Sequence, residues 1–326
     1  MKIAINGFGR IGRLFFRQVA GVPDFDVVAI NDLGDKDNLL FLLKHDSVYG
    51  KFDPKISNVK FLNEKDPVKL PWKELDIDVV LESTGAFESF EKAKAHLDAG
   101  AKRVVLSAPA KDAEGDFGRT ILTGMNDDEA KDFKITSNAS CTTNAASPVI
   151  AVLAENPGIE KAVLNTLHAM TNTQTVVDSP VKGSDIRRGR AASQNLIPST
   201  TGAAIAVTKV FKELEGKFDG IAVRCPIITG SLADITFISK RKTSVEEINK
   251  ILKDAAELPR WKGILKVSEE DIVSSDIIRE SYGAIVDLKF TKVVDGNLVK
   301  ILSWYDNEWG YVAMLIKHIE QLKKLL

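Results

Sequence analysis

A glycine-rich turn at the very start of the chain limits the possible folds most strongly. A short apolar run at residues 3–5 is followed by Gly7, Gly9 and Gly12 in a G-x-G-x-x-G pattern, and a helical pattern begins at once. Such glycines let the backbone turn tightly and approach a pyrophosphate, which the amides of a helix start attract. Asp32 ends the next apolar run 20 positions after Gly12. A carboxylate there accepts hydrogen bonds from a ribose and repels a 2′-phosphate, so the pattern predicts NAD rather than NADP.

The rest of the first half supports a parallel sheet. Runs rich in Val and Ile alternate with helical stretches, and the runs lack the polar alternation of a half-exposed strand. The predicted strands are "KIAI", "DVVAIN", "DVVLEST", "RVVLSA" and "KITSN", with a weaker one at "NVKFLN". Helices are predicted at "RIGRLFFRQVA", "DNLLFLLKH" and "SFEKAKAHLDAG". This rhythm predicts an α/β fold with a doubly wound parallel Rossmann sheet. The glycines could otherwise form only a tight turn, with Asp32 merely ending a strand.

The second half has a different pattern. Its longer apolar runs partly alternate with polar residues, as in an antiparallel sheet with one less buried face. We therefore expect an α+β catalytic domain with a mostly antiparallel sheet. The predicted domains are a dinucleotide-binding domain at 1–140 and a second domain at 141–306, followed by a C-terminal helix at 307–326.

Composition excludes several classes of protein. The chain has 326 residues, a net charge of −1 and two cysteines. The charge lacks the strong basic field of a dedicated nucleic-acid binder. The start, "MKIAINGFGR", has no apolar signal core, and no apolar run reaches membrane-spanning length. The four histidines show no paired-ligand spacing, so we expect no structural zinc. We expect a cytoplasmic protein with free thiols and no membrane partner.

One cysteine stands in unusual surroundings. Cys141 lies among small polar residues in "SNASCTTNAASP", just before a helix that we expect to begin near residues 143–145, with Pro148 in its first turn. The amides of a helix start favour an anion, so we expect a lowered thiol pKa and a nucleophilic thiolate. Cys225, in "IAVRCPII", has a strand setting and is interpreted as packing.

A nucleophile of this kind needs a base. His168 closes the predicted strand "VLNTLHAM", where a chain leaves a sheet, and is the best candidate. His45, in "LKHDSVYG", is the rival and could equally orient a loop. Periodicity does not choose between the two histidines.

Five stretches together carry a family resemblance. They are "INGFGRIGR", "SNASCTTN", H-x-x-T-N-x-Q from His168, "IPSTTGAA" and "SWYDNEWGY". In this order, and with 27 positions between Cys141 and His168, they resemble the phosphorylating glyceraldehyde-3-phosphate dehydrogenase family. The resemblance runs from Ile3 to about Tyr311, nearly the whole chain. It implies that the domain at 141–306 is the catalytic domain and that the C-terminal helix at 307–326 returns to the dinucleotide-binding domain.

The resemblance implies a reaction. Cys141 would attack the aldehyde of D-glyceraldehyde 3-phosphate to give a thiohemiacetal, with His168 as general base. Oxidation by NAD would leave a thioester, and inorganic phosphate would release 1,3-bisphosphoglycerate, a step of glycolysis and gluconeogenesis.

The resemblance also assigns binding residues. Further cofactor contacts would come from Arg10, Ile11, Lys65, Thr84, Gly85, Ser107 and Asn307. The substrate phosphate would bind Thr171 and Arg224, and the attacking phosphate Ser140, Thr142, Thr201 and Gly202. Arg188 would reach the same region, with Arg187 and Arg190 as alternatives.

Some features depart from the family or stay open. Ala145 replaces a common second cysteine, Lys65 replaces an arginine beside adenine, and the segment 52–67 is shorter than usual. The long loop 177–200 packs between subunits in the family, which implies a homotetramer.

Erythrose-4-phosphate dehydrogenase, a sister enzyme that releases its thioester to water, is the alternative, although "IPSTTGAA" favours the phosphorylating enzyme. A catalytically idle binding protein is the third interpretation.

Overall fold

The computed structural model describes residues 1–53, 56, 58–181 and 185–326. The predicted shortening at 52–67 and the long loop at 177–200 therefore lie partly outside the described residues. Contacts divide the chain into two units, and each is described by itself. Unit 1 comprises Met1–Ser140 with Val312–Leu326, and unit 2 comprises Cys141–Tyr311.

Unit 1 contains a seven-stranded parallel sheet. Its strands are β1 (Lys2–Asn6), β2 (Asp26–Asn31), β5 (Lys60–Leu62), β6 (Val79–Glu82), β7 (Arg103–Leu106), β8 (Gly118–Thr120) and β9 (Ile135–Ser137). Their order in the sheet is β5-β2-β1-β6-β7-β9-β8, and every neighbouring pair is parallel. A separate antiparallel pair is formed by β3 (His45–Asp46) and β4 (Gly50–Lys51). The predicted Rossmann sheet is confirmed.

The helices of unit 1 begin where the sequence supplies caps. They are α1 (Arg10–Val19), α2 (Lys36–Lys44) and α3 (Phe90–Asp98). The side chain of Asp35 accepts the amide of Asn38 at the start of α2, and Ser89 accepts the amide of Lys92 at the start of α3. One face of the sheet packs on a core of apolar side chains that includes Trp72, Phe90 and Val104.

Unit 2 contains a seven-stranded mixed sheet. Its strands are β10 (Ile159–Ala169), β11 (Ile197–Thr200), β12 (Phe218–Cys225), β13 (Ser231–Ser239), β14 (Leu265–Ser268), β15 (Ala284–Val294) and β16 (Leu298–Tyr305). Their order is β11-β12-β10-β13-β16-β15-β14. The pairs β10–β12 and β14–β15 are parallel, and the other four are antiparallel. The predicted mostly antiparallel sheet is confirmed.

The helices of unit 2 cover one face of this sheet. They are α4 (Cys141–Glu155), α5 (Ala203–Val210) and α6 (Val245–Ala256), and α7 (Trp309–Leu322) crosses the boundary at Tyr311. The expected start of α4 near residues 143–145 is wrong, because the helix already begins at Cys141. Pro148 consequently lies in the second turn of α4 rather than in the first.

The burial pattern along β10 places His168, a predicted site residue, on the buried face of the sheet. Ala162, Leu164 and His168 are buried, whereas Val163 and Leu167 on the opposite face are exposed. This alternation follows from the two-residue period of a strand. His168 therefore points into the covered side of the sheet of unit 2, and it pairs in register with Arg224 of β12.

Candidate active site

A cavity of about 420 Å³ lies at the carboxyl ends of strands of unit 1. Ligands of doubly wound sheets bind at this edge. Gly7, Gly9, Asp32, Lys65 and Thr84, all predicted from the sequence, line the cavity. Nine lining residues were not predicted: Asn6, Asn31, Leu33, Glu64, Pro67, Leu70, Ser83, Ala86 and Phe87.

The glycine turn has the geometry that the motif requires. Gly7 adopts φ +97°, and a Cβ there would lie 2.6 Å from the backbone carbon of Ser83. A Cβ on Gly12 would lie 2.1 Å from the carbonyl oxygen of Gly7, so only glycine lets α1 start this close to the strand. No atom of the described residues lies within 4 Å of a Cβ built on Gly9, which leaves room for a ligand to approach. The N-cap residue of α1 is Gly9, which has no side chain to cap the helix, and the first turn of α1 contains no acidic residue, which suits a pyrophosphate.

Asp32 is held rigidly at the edge of this cavity. Its Oδ2 accepts the amide of Phe8 at 2.6 Å, and its Oδ1 accepts the amide of Gly34 at 2.7 Å. Each carboxylate oxygen has a second lone pair for a ribose hydroxyl. The cavity, the open approach at Gly9 and the fixed carboxylate together fit NAD.

The remaining predicted cofactor residues of unit 1 lie around the cavity without lining it. Arg10 and Ile11 open α1, and the guanidinium of Arg10 pairs with Asp46. The Arg10 side chain is thereby directed to a carboxylate, so its backbone is the part suited to a pyrophosphate. Gly85 adopts φ +73°, and the amide of Ser107 donates to the carbonyl of Glu82 at 3.0 Å.

Unit 2 brings the predicted nucleophile and base together. The sulfur of Cys141 lies 3.3 Å from Nε2 of His168. Cys141 opens α4 and His168 lies near the end of β10, so two elements packed on each other fix the distance. The rival His45 belongs to unit 1, where its exposed ring stacks on Phe41 with ring centres 4.8 Å apart.

Burial controls the protonation of this pair. It raises the pKa of the Cys141 thiol, against the opposing effect of the Arg224 charge. Burial, followed by the charge of Arg224, lowers the pKa of His168 to about 3. The backbone amides at the start of α4 do lower the thiol pKa, but the expectation of a net lowering is wrong, because the cost of burying an anion is larger. The resting pair is a thiol and a neutral imidazole.

Two contacts compete for the other ring nitrogen of His168. Its Nδ1 lies 2.7 Å from the carbonyl oxygen of Ala169 and 2.7 Å from a guanidinium nitrogen of Arg224. A carbonyl only accepts and a guanidinium only donates, so they favour opposite tautomers. The Ala169 contact puts the proton on Nδ1 and leaves Nε2 able to accept the proton of Cys141.

A buried tyrosine that was not predicted supports the site. The hydroxyl of Tyr305 lies 2.8 Å from Oγ1 of Thr142 and 2.7 Å from Oγ1 of Thr166. Its ring meets the edge of His168 at 6.1 Å between centres. The Thr142 hydroxyl is thus engaged with a neighbouring side chain, which leaves its backbone amide better suited than its side chain to an attacking anion.

The predicted substrate-phosphate residues form a linked set. A guanidinium nitrogen of Arg188 donates to Oγ1 of Thr173 at 3.1 Å, and Thr173 lies 3.0 Å from Oγ1 of Thr171. Arg188 also pairs with Asp185 at 2.9 Å. The Arg224 guanidinium is mostly buried and reaches the same His168 that faces Cys141.

The alternatives to Arg188 point elsewhere. Arg190 is exposed and pairs with Asp178 at 2.9 Å, and Arg187 is also exposed. The half-buried side chain of Arg188 is therefore the best placed of the three arginines.

Three other predicted phosphate residues lie at helix starts. Ser140 directly precedes α4, and Thr201 and Gly202 precede α5. Within the part of the chain that the structure describes, no atom lies within 4 Å of a Cβ built on Gly202. Oγ1 of Thr201 accepts the amide of Ala203 at 3.2 Å, so this hydroxyl already bonds to the first amide of α5.

Asn307 is fixed by unit 2. Its Oδ1 accepts the hydroxyl of Ser231 at 2.9 Å and that of Thr229 at 3.3 Å. With the amide oxygen in this position, the side-chain NH₂ group is turned away from the two hydroxyls and can donate elsewhere. A donor of this kind suits a carboxamide.

Three further observations concern the described part of the chain. No group of three or more His, Cys, Asp and Glu side chains there could hold a metal ion. No helix among those residues is both long and apolar enough to cross a bilayer. Cys225 ends β12 with a partly exposed side chain, in line with its interpretation as packing.

Comparison with known proteins adds independent findings. Residues 1–90 match the family model "Glyceraldehyde 3-phosphate dehydrogenase, NAD binding domain", and residues 140–307 match "Glyceraldehyde 3-phosphate dehydrogenase, C-terminal domain". The chain is 47% identical to the glyceraldehyde-3-phosphate dehydrogenase of Thermotoga maritima, over 99% of each chain. It is 45% identical to that of Clostridium pasteurianum over 99% of each chain, and 46% identical to that of Borreliella burgdorferi over 99% of this chain and 100% of the relative.

Proposed function

The chain belongs to the glyceraldehyde-3-phosphate dehydrogenase family and is an NAD-dependent oxidoreductase that acts on an aldehyde, and from this premise we propose the complete reaction. It oxidises D-glyceraldehyde 3-phosphate with NAD and inorganic phosphate to 1,3-bisphosphoglycerate, in glycolysis and gluconeogenesis. The observation that carries this proposal is the 3.3 Å contact between the sulfur of Cys141 and Nε2 of His168.

The first step forms a carbon–sulfur bond. The sulfur of Cys141 attacks the aldehyde carbon while Nε2 of His168 takes the thiol proton. The aldehyde oxygen becomes an alkoxide and receives that proton back from His168, which gives a neutral thiohemiacetal. Because the resting pair is uncharged, the imidazole has to remove the proton as the bond forms.

The second step is an oxidation. NAD, when bound, supplies the acceptor for the hydride that leaves the thiohemiacetal carbon. His168 removes the hydroxyl proton of the thiohemiacetal at the same time, and a thioester remains on Cys141.

The last step releases the product. A phosphate oxygen attacks the thioester carbon, the carbon–sulfur bond breaks, and the Cys141 sulfur leaves as a thiolate that is reprotonated through His168. The starts of α4 and α5, at Ser140, Thr142, Thr201 and Gly202, offer amides to the attacking phosphate.

Arginines bind the phosphate of the substrate. Guanidinium groups match phosphate oxygens in geometry and charge, and Arg224 and Arg188 lie beside His168 and the Thr171–Thr173 pair. A phosphate that draws Arg224 away from Nδ1 of His168 leaves the Ala169 carbonyl as the partner of Nδ1. That arrangement favours the tautomer in which Nε2 is the base.

We also propose a homotetramer in the cytoplasm. On the uncovered face of the sheet of unit 2, the side chains of Val163 and Ile221 are 60% and 56% exposed. Apolar exposure of this kind marks interaction surfaces. Light scattering of the purified chain tests the assembly: four chains are expected, and Val163→Asp should reduce that number, whereas a monomer would contradict the proposal.

An assay of NADH formation tests the reaction. Glyceraldehyde 3-phosphate and erythrose 4-phosphate are each supplied with and without inorganic phosphate. We expect rapid turnover of the triose that requires phosphate. Triose turnover that ignores phosphate contradicts the assignment, and preferred use of the tetrose without phosphate supports erythrose-4-phosphate dehydrogenase. No turnover of either aldehyde, with NAD still bound, would support an idle binding protein.

A further inference from the structure

A buried carboxylate lies beneath the cavity of unit 1. Glu82 ends β6 and is 4% exposed. Its Oε2 accepts Nδ2 of Asn6 at 2.6 Å and lies 3.0 Å from Nε2 of His96. Its Oε1 accepts the amide of Thr84 at 2.8 Å and also the Thr84 hydroxyl. Four donors thus satisfy both oxygens of a buried anion, as its stability requires.

The tautomer of His96 follows from its second contact. The indole Nε1 of Trp72 lies 3.1 Å from Nδ1 of His96. Because an indole nitrogen only donates, Nδ1 is the acceptor and the ring proton is on Nε2, directed at Glu82. His96 is completely buried. It therefore acts as a fixed donor to the carboxylate.

The bonds continue to the opposite side of the cavity. Nδ2 of Asn31 donates to Oδ1 of Asn6 at 2.7 Å, and the amide of Glu64 donates to Oδ1 of Asn31 at 2.9 Å. Asn6 ends β1, Asn31 ends β2, and Glu64 follows β5. The chain of hydrogen bonds thus crosses the carboxyl ends of four neighbouring strands, β5, β2, β1 and β6.

The network joins the walls of the cavity from behind. Asn31 and Glu64 line one wall, Thr84 lines the other, and Asn6 lies between them. Glu82 and His96 do not line the cavity. Hydrogen-bond networks inside a protein are strong when every member is satisfied, and they define one geometry.

We propose that Glu82 and His96 are positioning residues for NAD. They hold the carboxyl ends of β1, β2 and β6 at the spacing that the dinucleotide needs, although neither lines the cavity. The proposal rests on NAD binding and not on the phosphate step. If the chain binds NAD but fails the phosphate assay, the positioning role proposed for Glu82 and His96 is not contradicted.

Variants at His96 separate positioning from direct contact. His96→Leu removes the donor to Glu82, whereas His96→Gln offers an amide NH₂ near the position of Nε2. Calorimetric titration of the full-length chain with NAD should give about a tenfold higher Kd for His96→Leu. The Kd of His96→Gln should stay within about threefold of the parent value. Full NAD affinity in a folded His96→Leu protein would overturn the proposal.

Glu82→Gln tests the same network from its centre. The shape is kept, but in either orientation the amide NH₂ faces a donor, at Asn6 and His96 or at the backbone of Thr84. We expect the Kd for NAD to rise at least about tenfold. If neither the Glu82→Gln protein nor the His96→Leu protein folds, the proposal is also overturned, because the network would then serve folding itself.

Thr136→Val is the matched control. Oγ1 of Thr136 lies 2.7 Å from Nε2 of His318, both residues are buried in unit 1, and neither lines the cavity. The variant loses one buried hydrogen bond and should lower Tm while the Kd for NAD stays unchanged. A rise in Kd equal to that of His96→Leu would show that general destabilisation weakens NAD binding, which would contradict the positioning role.

Discussion

The imidazole of His168 faces the sulfur of Cys141 at 3.3 Å, and both groups are held by regular structure rather than by loops. Cys141 is the first residue of α4, and His168 lies on the covered face of β10. Since burial raises the pKa of the thiol and lowers that of the imidazole, the two partners rest uncharged. The base therefore has to act during the reaction, not before it.

The reactivity of Cys141 should reflect this resting state. In the enzyme without substrate, the alkylation rate with iodoacetamide should keep rising from about pH 6 to about pH 9, because burial raises the thiol pKa. Labelling followed by peptide mass analysis separates Cys141 from Cys225. Cys141 should react faster in spite of its raised pKa, because Nε2 of His168 takes the thiol proton as the carbon–sulfur bond forms. His168→Asn should slow the Cys141 rate. A rate that levels off below neutral pH would instead indicate a thiol pKa lowered by the helix start.

The arginine assignment is tested by three parallel variants. Arg188→Gln should raise KM for the triose phosphate at least about tenfold, because it removes a charged partner of a phosphate. Arg187→Gln and Arg190→Gln should change KM less than about threefold. Steady-state kinetics at saturating NAD and phosphate give these values. A larger increase in KM for Arg190→Gln than for Arg188→Gln would show that the phosphate contact is assigned here to the wrong side chain.

Asp32 should control the choice between the two dinucleotides. Asp32→Asn removes the charge that repels a 2′-phosphate and disturbs the acceptor of the Phe8 amide. We expect the Kd for NAD to rise about tenfold and the preference for NAD over NADP to shrink. Titrations with both dinucleotides measure the ratio. A parent chain that prefers NADP would contradict the role given to this carboxylate.

Acid should destabilise the protein partly through His318. Burial and the charge of Arg103 lower its pKa to about 4. An unfolded chain binds a proton near the ordinary value of 6.5, whereas the folded chain does not until about pH 4. The stabilisation is therefore present above about pH 6.5 and is lost as the pH falls through this window, at up to about 1.4 kcal/mol per pH unit.

His318→Gln should make the unfolding free energy less dependent on pH within that window. Urea unfolding at several pH values measures the slope. Lys317→Arg, which keeps the charge on the same helix, is the control and should match the parent. An unchanged slope in His318→Gln would contradict a lowered pKa at this histidine.

Much of the fold follows from patterns that are local in sequence. Runs such as "DVVAIN" predict β2 because parallel strands are apolar on both faces. Short strands at 118–120, 197–200 and 265–268 were not predicted, because three or four residues carry little periodicity. The predicted start of α4 lies too far along the chain, because Cys141, Thr142 and Thr143 have low helix propensity. Tertiary packing overrides that propensity.

The site was only partly predictable from sequence. Motifs identified Gly7, Asp32 and Cys141, since each has a signature at fixed spacing. In the sequence, Glu82 is only the polar residue at the end of a predicted strand, and His96 is only one residue of a predicted helix. Their contact forms only when β6 and α3 pack together. The thiol pKa was misjudged for a related reason, because burial depends on the tertiary structure while a helix start is visible in the sequence.

The most direct measurement of the central claim is to trap the acyl group on the nucleophile. The full-length chain is mixed with NAD and glyceraldehyde 3-phosphate in phosphate-free buffer, quenched in acid, and digested for peptide mass analysis, with Cys141→Ala treated in parallel. The account predicts a 3-phosphoglyceroyl thioester on the Cys141 peptide, its loss when inorganic phosphate is added before quenching, and no adduct but normal NAD binding in Cys141→Ala. An adduct on Cys225, or NADH formation in the Cys141→Ala protein, would contradict it.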